Sequence, residues 1–306
     1  MKQRFNACAK VRAQGHGADH QESKVSQNSV PGFARLARTP SRAIHIAPLP
    51  ARRWKWLASL SQLICAGLTW WLGWRIGCAA FLLSHGALII PIFLPRARLY
   101  AAVVSQLPAD VTGVWLTIDD GPSADTLEIL NLLRRFDARA TFFLVGQRAA
   151  ERPDLVAAIH AAGHTIGNHS YSHSSAWFWA FGPKRMAQEI AQTQRILTRL
   201  IGTAPVWFRS VVGMTNPWVA RCLQQHGLTR VAWTTRGFDG VVRQPQAVLR
   251  HLQRGLKVGA IILLHEGHKD RLAPLILQSV LEQLHLRQCH TLVPTIVPGH
   301  EPMSCV

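Results

Sequence analysis

The arrangement of hydrophobic and polar positions divides this chain into three parts. Residues 1–50 show no apolar periodicity and are rich in polar and basic residues, so we expect a disordered, basic N-terminal region. Residues 56–74 and 76–94 are two uncharged apolar runs, each of nineteen residues, with only Arg75 between them. From about residue 112 onward, short β-branched or aromatic runs alternate with amphipathic stretches.

The two apolar runs predict a membrane anchor over residues 51–98. Each run is just long enough to span a bilayer, and tryptophans cluster toward the ends of the first run, as they do in interfacial belts. A tight transmembrane helical hairpin is the direct interpretation. One spanning helix followed by a half-buried segment is the alternative, because Ser84, His85 and Pro91 interrupt the second run.

The alternating pattern after residue 112 predicts a βαβ series and therefore a parallel sheet in an α/β fold. Seven strands within about 185 residues indicate a distorted (β/α)7 barrel, one unit short of the eight-stranded form. The predicted strands are 113–118, 140–145, 164–168, 206–209, 229–233, 260–264 and 291–296. The predicted helices are 125–136, 147–162, 183–201, 216–227, 244–256 and 271–287.

Composition and charge narrow the classes of partner. The formal net charge is +18, and residues 1–55 hold eleven Lys and Arg against two Asp and Glu, which is half of the excess. A basic chain can bind nucleic acid, anionic lipid or an acidic glycan, but no basic helix with interleaved aromatic residues favours nucleic acid. The six cysteines form no CxxC pair, so neither a disulfide framework nor a zinc–thiolate site is expected.

Polar residues with chemical potential follow the predicted strands at the points where those strands end. The C-terminal ends of the strands of a parallel barrel meet on one face, which is the usual place for an active site. The residues in these positions are Asp119 and Asp120 after 113–118, His169 and His173 after 164–168, Arg209 at the end of 206–209, and His265 after 260–264.

The carboxylates and histidines at these strand ends suit a divalent metal ion. Adjacent Asp119 and Asp120 are costly to bury unless a positive group lies beside them. His169 and His173 are four residues apart, so one helical turn would bring both imidazoles to the same side. Two His and one Asp leave a coordination position open for water, which is the catalytic pattern for zinc or another borderline ion. The second carboxylate can then serve as a general base.

Three short motifs in this region resemble the signatures of the polysaccharide deacetylase family (NodB-like, carbohydrate esterase family 4). Residues 117–122 read T-I-D-D-G-P and resemble its T-F-D-D-G-P signature, and 140–146 resemble the strand that follows. Residues 169–173 read H-S-Y-S-H and match H-S/T-x-x-H, and 263–265 match the final L-x-H. The order and spacing agree across roughly residues 112–298.

This resemblance implies a NodB homology catalytic domain over residues 112–298 that hydrolyses the amide bond of an N-acylated amino sugar. It implies that one divalent ion, expected to be zinc, is held by Asp120, His169 and His173. It also implies that Asp119 is the general base, that Arg209 orients Asp119, and that His265 protonates the departing amine. The alternative is a catalytically inactive, membrane-bound sugar-binding relative, which would be expected to lack at least one of these residues.

Two loops depart from the family pattern. The family's R-P-P-Y/F-G loop reads R-S-V-V-G here, so the aromatic residue that flanks the sugar is replaced by Val212. The family's D-x-x-D-W stretch is also changed, because residues 233–239 keep one acid, Asp239, and place Arg236 where the other would lie. Asp239 is expected to tune His265, although a simple pair between Asp239 and Arg236 is the alternative.

The anchor and the resemblance together predict an integral enzyme of carbohydrate metabolism in a bacterial-type inner membrane. The expected partners are the membrane and an N-acylated amino-sugar glycan, either polymeric or lipid-linked, with no nucleic acid. A hairpin would put the catalytic domain on the side of the basic N-terminal region, which is typical of the cytoplasm. A single span would put it outside. The sequence leaves the sugar and its acyl group open.

Overall fold

The computed structural model describes residues 43–44, 53–242 and 244–296. The predicted disordered region, residues 1–50, lies outside the described residues except for strand β1, Ala43–Ile44. The backbone of β1 pairs in parallel with strand β9, Thr295–Ile296, near the other end of the chain.

The first apolar run and the second form two packed helices. Helix α1 spans Arg53–Leu72 and helix α2 spans Trp74–Ile89, followed by one 3₁₀ turn at Ile90–Ile92. Gly73 joins the two helices with a φ of 85°, a conformation that an L side chain rarely adopts. The two runs therefore fold back on each other as a helical hairpin.

Small and polar residues line the interface between α1 and α2. Gly77 is buried there, and a Cβ at this position would collide with Thr69. Nearer the open end of the hairpin, the Ser84 hydroxyl donates to Ser61 Oγ at 2.9 Å, and Gln62 donates to Ser84 Oγ at 3.2 Å. These polar groups are thus satisfied by contacts between the two helices.

The outward surface of the hairpin is apolar and exposed. Among the described residues, the stretch Trp74–Ile92 is the one helical segment long and apolar enough to cross a membrane, judged by length and composition alone, and it is almost entirely unburied. Helix α1 is less apolar than α2, because Arg53 and Lys55 lie in its first turn. The number of membrane spans therefore stays a prediction.

The rest of the described chain is built around a seven-stranded sheet in which every recorded pairing is parallel. The predicted α/β fold with a parallel sheet is confirmed. The strands are β2 Trp115–Gly121, β3 Ala140–Leu144, β4 Thr165–Asn168, β5 Trp207–Phe208, β6 Thr229–Arg230, β7 Thr235–Arg236 and β8 Ile261–His265, in the spatial order β6-β5-β4-β3-β2-β8-β7.

One predicted strand is wrong. Residues 291–296 do not join the seven-stranded sheet, because Thr291 forms a single bridge to Val114 and 295–296 pair with β1. The seventh strand is β7, which pairs with β8. It lies only four residues after β6, so the chain bends and pairs first with β5 and then with β8, without the helix that the βαβ pattern led us to expect.

Helices cover the outer face of the sheet. They are α3 Thr126–Arg135, α4 Gly146–Glu151, α5 Pro153–Ala161, α6 Pro183–Ile201, α7 Val219–Gln225, α8 Pro245–Gln253 and α9 Ala273–Leu286. The predicted helix 147–162 is divided at Arg152, because Pro153 disfavours a helical conformation at the residue before it. The predicted helix 183–201 is confirmed at both ends.

The sheet edges β6 and β7 do not pair with each other, and the segment 100–107 fills the space between them. Val104 forms a parallel bridge with Val231, and the Leu107 N–H donates to Gly259 O at 2.9 Å. Val104 and Leu107 are buried against Trp115 and other large side chains on the concave face of the sheet. The folded unit therefore includes residues upstream of 112, where the sequence placed the start of the catalytic domain.

Candidate active site

The two adjacent aspartates lie at the C-terminal end of β2. In a regular strand, successive side chains point to opposite faces, so the two carboxylates would diverge. The pairing of β2 with β3 instead shifts register between Asp119 and Gly121, and Asp120 adopts a left-handed φ of 71°. This irregularity allows both carboxylates to face the mouth of the curved sheet.

His169 and His173 approach Asp120 from the segment after β4. His173 Nε2 lies 2.9 Å from Asp120 Oδ1, and His169 Nε2 lies 3.3 Å from the same oxygen. One ligand atom from each of the three residues falls within 4.8 Å of the others. These are the three residues that the sequence indicated as metal ligands, and the fold brings them together.

The helical turn expected between the two histidines is wrong. Residues 169–173 form an irregular loop in which Ser170 and His173 have positive φ values of 64° and 48°. Glu189 of α6 holds this loop: its carboxylate accepts the backbone N–H of Tyr171 at 3.0 Å and that of Ser172 at 2.8 Å. Glu189 is an acid at a position on the apolar face of an amphipathic helix, and that was the signal of its role that the sequence offered.

The donor set fits a divalent cation. Asp120 Oδ1 is buried, yet no described donor directs a hydrogen bond at it, although two imidazole nitrogens lie within 3.3 Å. His169 Nδ1 lies 2.8 Å from the backbone oxygen of Arg209, which assigns the proton to Nδ1 and leaves the lone pair of Nε2 facing Asp120. A lone pair beside a carboxylate oxygen is unfavourable unless a proton or a metal cation lies between them. Asp120, His169 and His173 could therefore hold one metal ion.

The surroundings of Asp120 favour its ionised carboxylate. Burial would raise the pKa of this carboxyl, but the imidazoles of His169 and His173 hold it well below its usual range. Arg148 donates to the backbone oxygen of Asp120 and supports the bulged end of β2 from the side.

Asp119 has a different environment, dominated by Arg209. Arg209 Nη1 lies 2.8 Å from Asp119 Oδ1 and also donates to the hydroxyl of Thr117 at 2.6 Å. Arg209 is fully buried, and burial lowers the pKa of its guanidinium while Asp119 opposes that shift. Its other nitrogens donate to the backbone oxygens of Val231 and Ala232 at 3.3 and 3.1 Å. Arg209 thus fixes one oxygen of Asp119 and leaves Oδ2 directed toward His169 Nε2, 3.7 Å away.

His265 ends β8 opposite Asp119 in the register of the sheet, and Asp239 holds it there. Asp239 Oδ1 lies 2.9 Å from His265 Nδ1, and Oδ2 accepts the backbone N–H of His265 at 2.7 Å. Burial disfavours the imidazolium, but the carboxylate of Asp239, with smaller contributions from Asp120 and Asp119, outweighs it and the pKa of His265 rises to about 9. Arg236 instead lies over the ring of Phe238, with 4.1 Å between guanidinium and centroid. Asp239 therefore contacts the histidine, as the sequence led us to expect.

Glu266 directly follows His265, and the sequence predicted no role for it although the resembling family commonly has Asp there. It is buried behind the site, where Oε2 accepts the hydroxyls of Ser123 at 2.7 Å and Thr126 at 2.6 Å. Burial raises the pKa of this carboxyl to about 7, against the effect of those two donors. Gly121 leaves the space for it, because a Cβ there would collide with the Glu266 carboxyl.

The turn after Arg209 is one of the places where the sequence departs from the family pattern. Val212 is 54% exposed and has a φ of 52°, so the turn after Arg209 presents a small aliphatic side chain to solvent. The larger exposed side chain near the histidine loop is Trp177, which is 65% exposed.

Comparisons with known proteins agree with this geometry. A sequence profile described as Polysaccharide deacetylase matches residues 107–231. A peptidoglycan-N-acetylglucosamine deacetylase of Bacillus cereus is 30% identical over 172 residues, which are 55% of this chain and 79% of that one. A chitooligosaccharide deacetylase of Azorhizobium caulinodans is 27% identical over 165 residues, 53% of this chain and 78% of that one.

Solved structures share the same fold. A family 4 carbohydrate esterase from Streptomyces lividans in complex with acetate is 33% identical to this chain with a TM-score of 0.54, over 59% of this chain and 91% of that one. For some relatives, the similar region covers only part of the protein. A second Bacillus cereus peptidoglycan-N-acetylglucosamine deacetylase is 32% identical, and the match spans 66% of its length.

Proposed function

This chain belongs to the polysaccharide deacetylase family of hydrolases, and from that membership we propose that it removes the N-acetyl group from N-acetylglucosamine residues of a glycan. The relatives named above are deacetylases of peptidoglycan and of chitooligosaccharides, and both substrates contain that sugar. The observation that carries the proposal is the convergence of Asp120, His169 and His173 beside Asp119 and His265 at one end of the sheet.

Asp120, His169 and His173 would hold one divalent ion, for which zinc is our proposal. When bound, such an ion polarises the substrate carbonyl and makes its water ligand more acidic. The hydrogen bond from His169 Nδ1 to Arg209 O fixes the ring, so that Nε2 would be available to a bound ion. The loop contacts of Glu189 keep His173 within reach of the same position.

Asp119 is proposed as the general base. Arg209 occupies Oδ1 of its carboxylate, so Oδ2 is the oxygen that takes the proton from the attacking water. Arg209 takes no part in this proton transfer, because a guanidinium stays protonated. It acts only through its position and its charge.

His265 is proposed as the general acid. The leaving nitrogen must gain a proton as the amide bond breaks, and the imidazolium of His265 supplies it from Nε2 while Nδ1 stays on Asp239. The products are then acetate and the free amino sugar. The raised pKa of His265 keeps the acid form populated at neutral pH.

The helical hairpin is proposed as a membrane anchor that makes this an integral enzyme of a bacterial-type inner membrane. An exposed apolar surface of this extent is far beyond what soluble monomers tolerate. The candidate span Trp74–Ile92 supports insertion of α2. We propose that α1 inserts with it, because the polar contacts between Ser61 and Ser84 join the two helices. A hairpin of this kind puts the catalytic domain on the same side as the N-terminal region. Because the anchor also keeps the domain close to the membrane, a membrane-associated glycan, lipid-linked or polymeric, is the proposed substrate.

Acetate release from an N-acetylglucosamine oligosaccharide tests the proposed reaction. Purified full-length protein should release acetate, lose this activity in a chelator, and regain it when zinc is added back. His169→Ala should abolish release, whereas His160→Ala, an exposed histidine on α5, should not. Binding of the oligosaccharide without acetate release by metal-loaded wild type would instead favour the inactive sugar-binding relative.

A further inference from the structure

The root of the hairpin is attached at the end of the sheet that carries the site. Thr215, in the loop after Arg209, donates its backbone N–H to Ile92 O at 2.9 Å. The ring of Phe93 lies 5.5 Å from that of Trp179, in the segment after His173. Both loops leave the C-terminal ends of strands that supply site residues, so the hairpin and the active site share one rim of the domain.

The connection from the hairpin to the sheet is rigid. Arg96 donates to the backbone oxygens of Trp233 and Thr234 at 3.0 and 2.5 Å, and Arg230 donates back to Ala97 O at 2.5 Å. Arg230 is only 2% exposed, and burial lowers the pKa of its guanidinium to about 10. Moving the connection away would take carbonyl acceptors from this buried charge, which costs free energy. These contacts fix the direction of the hairpin relative to the site.

Four aromatic side chains are exposed around the hairpin root. We call them the aromatic rim: Phe93, Trp177, Trp179 and Trp218. Trp54, at the start of α1, packs edge-on against Trp218 at 6.1 Å, so the rim is continuous with the hairpin. The exposed cations Lys184 and Arg185 follow the histidine-loop part of this rim in the chain. Tryptophan and basic residues together are typical of the interface between a bilayer and water.

The opposite end of the hairpin carries a second belt of tryptophans. Trp70, Trp71 and Trp74 surround the Gly73 turn, and Trp71 is 86% exposed. Helix α1 has 20 residues and is therefore about 30 Å long, close to the thickness of the hydrocarbon core. Two belts at this separation place the aromatic rim at one interface and the Gly73 turn at the other.

We propose that the aromatic rim is a lipid-binding surface that lies in the headgroup layer, so that the active site is held beside the membrane surface rather than at the far end of the domain. This inference rests on the proposed insertion of the hairpin and goes one step further, because an anchor alone would not fix which face of the domain meets the lipid. It favours substrates whose N-acyl group lies at the membrane surface over glycans remote from it.

Fluorescence quenching in vesicles tests this orientation. Full-length protein with its native cysteines replaced receives one new cysteine, labelled with bimane and reconstituted in phosphatidylethanolamine–phosphatidylglycerol vesicles. Trp177→Cys reports the rim, Leu82→Cys reports the exposed face of α2, and Val258→Cys reports the opposite end of the sheet, just before β8. Nitroxides on the lipid headgroup and on the acyl chain are the quenchers, and the metal content of each variant checks its fold.

The expected result is strong acyl-chain quenching at position 82 and headgroup quenching at 177 several-fold above that at 258. Quenching at 82 with equally weak quenching at 177 and 258 would overturn the rim proposal and leave the anchor intact. No quenching at 82 would overturn the proposed anchor itself, and the orientation with it. None of these outcomes depends on acetate release, so the catalytic proposal is tested separately.

Discussion

Replacement of Asp239 by Asn is expected to move the alkaline limb of the pH profile of kcat to lower pH. Asp239 contacts both the ring and the backbone N–H of His265, and its charge is the largest of the effects that outweigh burial and raise the pKa of that histidine to about 9. Asparagine has nearly the same size and keeps an acceptor for the backbone N–H. The substitution therefore removes the charge while disturbing the packing little.

The size of the expected loss of rate follows from the pKa of His265. A rise from 6.5 to about 9 corresponds to about 3 kcal/mol in favour of the imidazolium. Asp239 makes the largest contribution to this rise and Asp120 and Asp119 make smaller ones, so the substitution moves the pKa toward 6.5. Because a general acid must be protonated, a full return to about 6.5 would lower the active fraction at about pH 8.5 from roughly three quarters to roughly one hundredth. The expected loss of rate is therefore up to about 75-fold there and less than about twofold near pH 6.

The same pair affects stability with a defined sign. The pKa of His265 is higher in the folded than in the unfolded chain, so the pair stabilises the fold below about pH 6.5 and this contribution is lost as pH rises through about 9. Asp239→Asn should therefore cost more stability at mildly acidic pH than at alkaline pH.

Initial rates of acetate release at saturating substrate and metal, measured between about pH 6 and 9.5, provide the assay. Asp154→Asn is the matched control, because it also neutralises one acid but lies in an exposed pair with Arg152. An unchanged alkaline limb in Asp239→Asn would refute the assignment of His265 as the acid tuned by Asp239.

Three further predictions concern the supports of the site and the extent of the fold. Glu189→Ala should weaken metal binding by about 10–100-fold in a chelator competition, whereas the exposed Glu282→Ala should not; equal affinities would contradict the role given to Glu189. Arg209→Lys should retain the metal but lower kcat by about 10²-fold or more, since one ammonium cannot replace four fixed contacts; a normal rate would contradict it. A chain starting at Pro95 should unfold cooperatively and one starting at Pro108 should not, because the latter lacks the segment between β6 and β7; equal thermal transitions would refute this.

The sequence was a good guide to residues that end regular strands. Asp119, His169, Arg209 and His265 follow recognisable apolar runs, and a parallel sheet necessarily gathers such positions at one end. Helix α6 was predicted to the residue because its apolar and polar positions alternate with helical periodicity between Pro183 and Gly202.

The sequence was a poor guide where the backbone is irregular. Strand β7 has two residues, too few for a periodic signal, and its pairing depends on the bend after β6. The loop 169–173 is shaped by Glu189, which is remote in the chain, so a spacing argument alone suggested a helical turn. The inclusion of residues 100–107 in the domain was also hidden, because apolar residues after a hydrophobic hairpin resemble a continuation of the anchor.

The division of labour between the two adjacent aspartates is the central claim, and metal content measured beside acetate release in Asp119→Asn and Asp120→Asn tests it most directly. Asp119 contacts Arg209, whereas Asp120 contacts both imidazoles. Of the two aspartates, therefore, only Asp120 should be needed to hold the ion. Asp119→Asn should keep about one ion per chain and lose about 10²–10⁴-fold in rate, the range for general acid–base catalysis. Asp120→Asn should lose both the ion and the activity. Loss of the ion from Asp119→Asn, with retention in Asp120→Asn, would contradict the account.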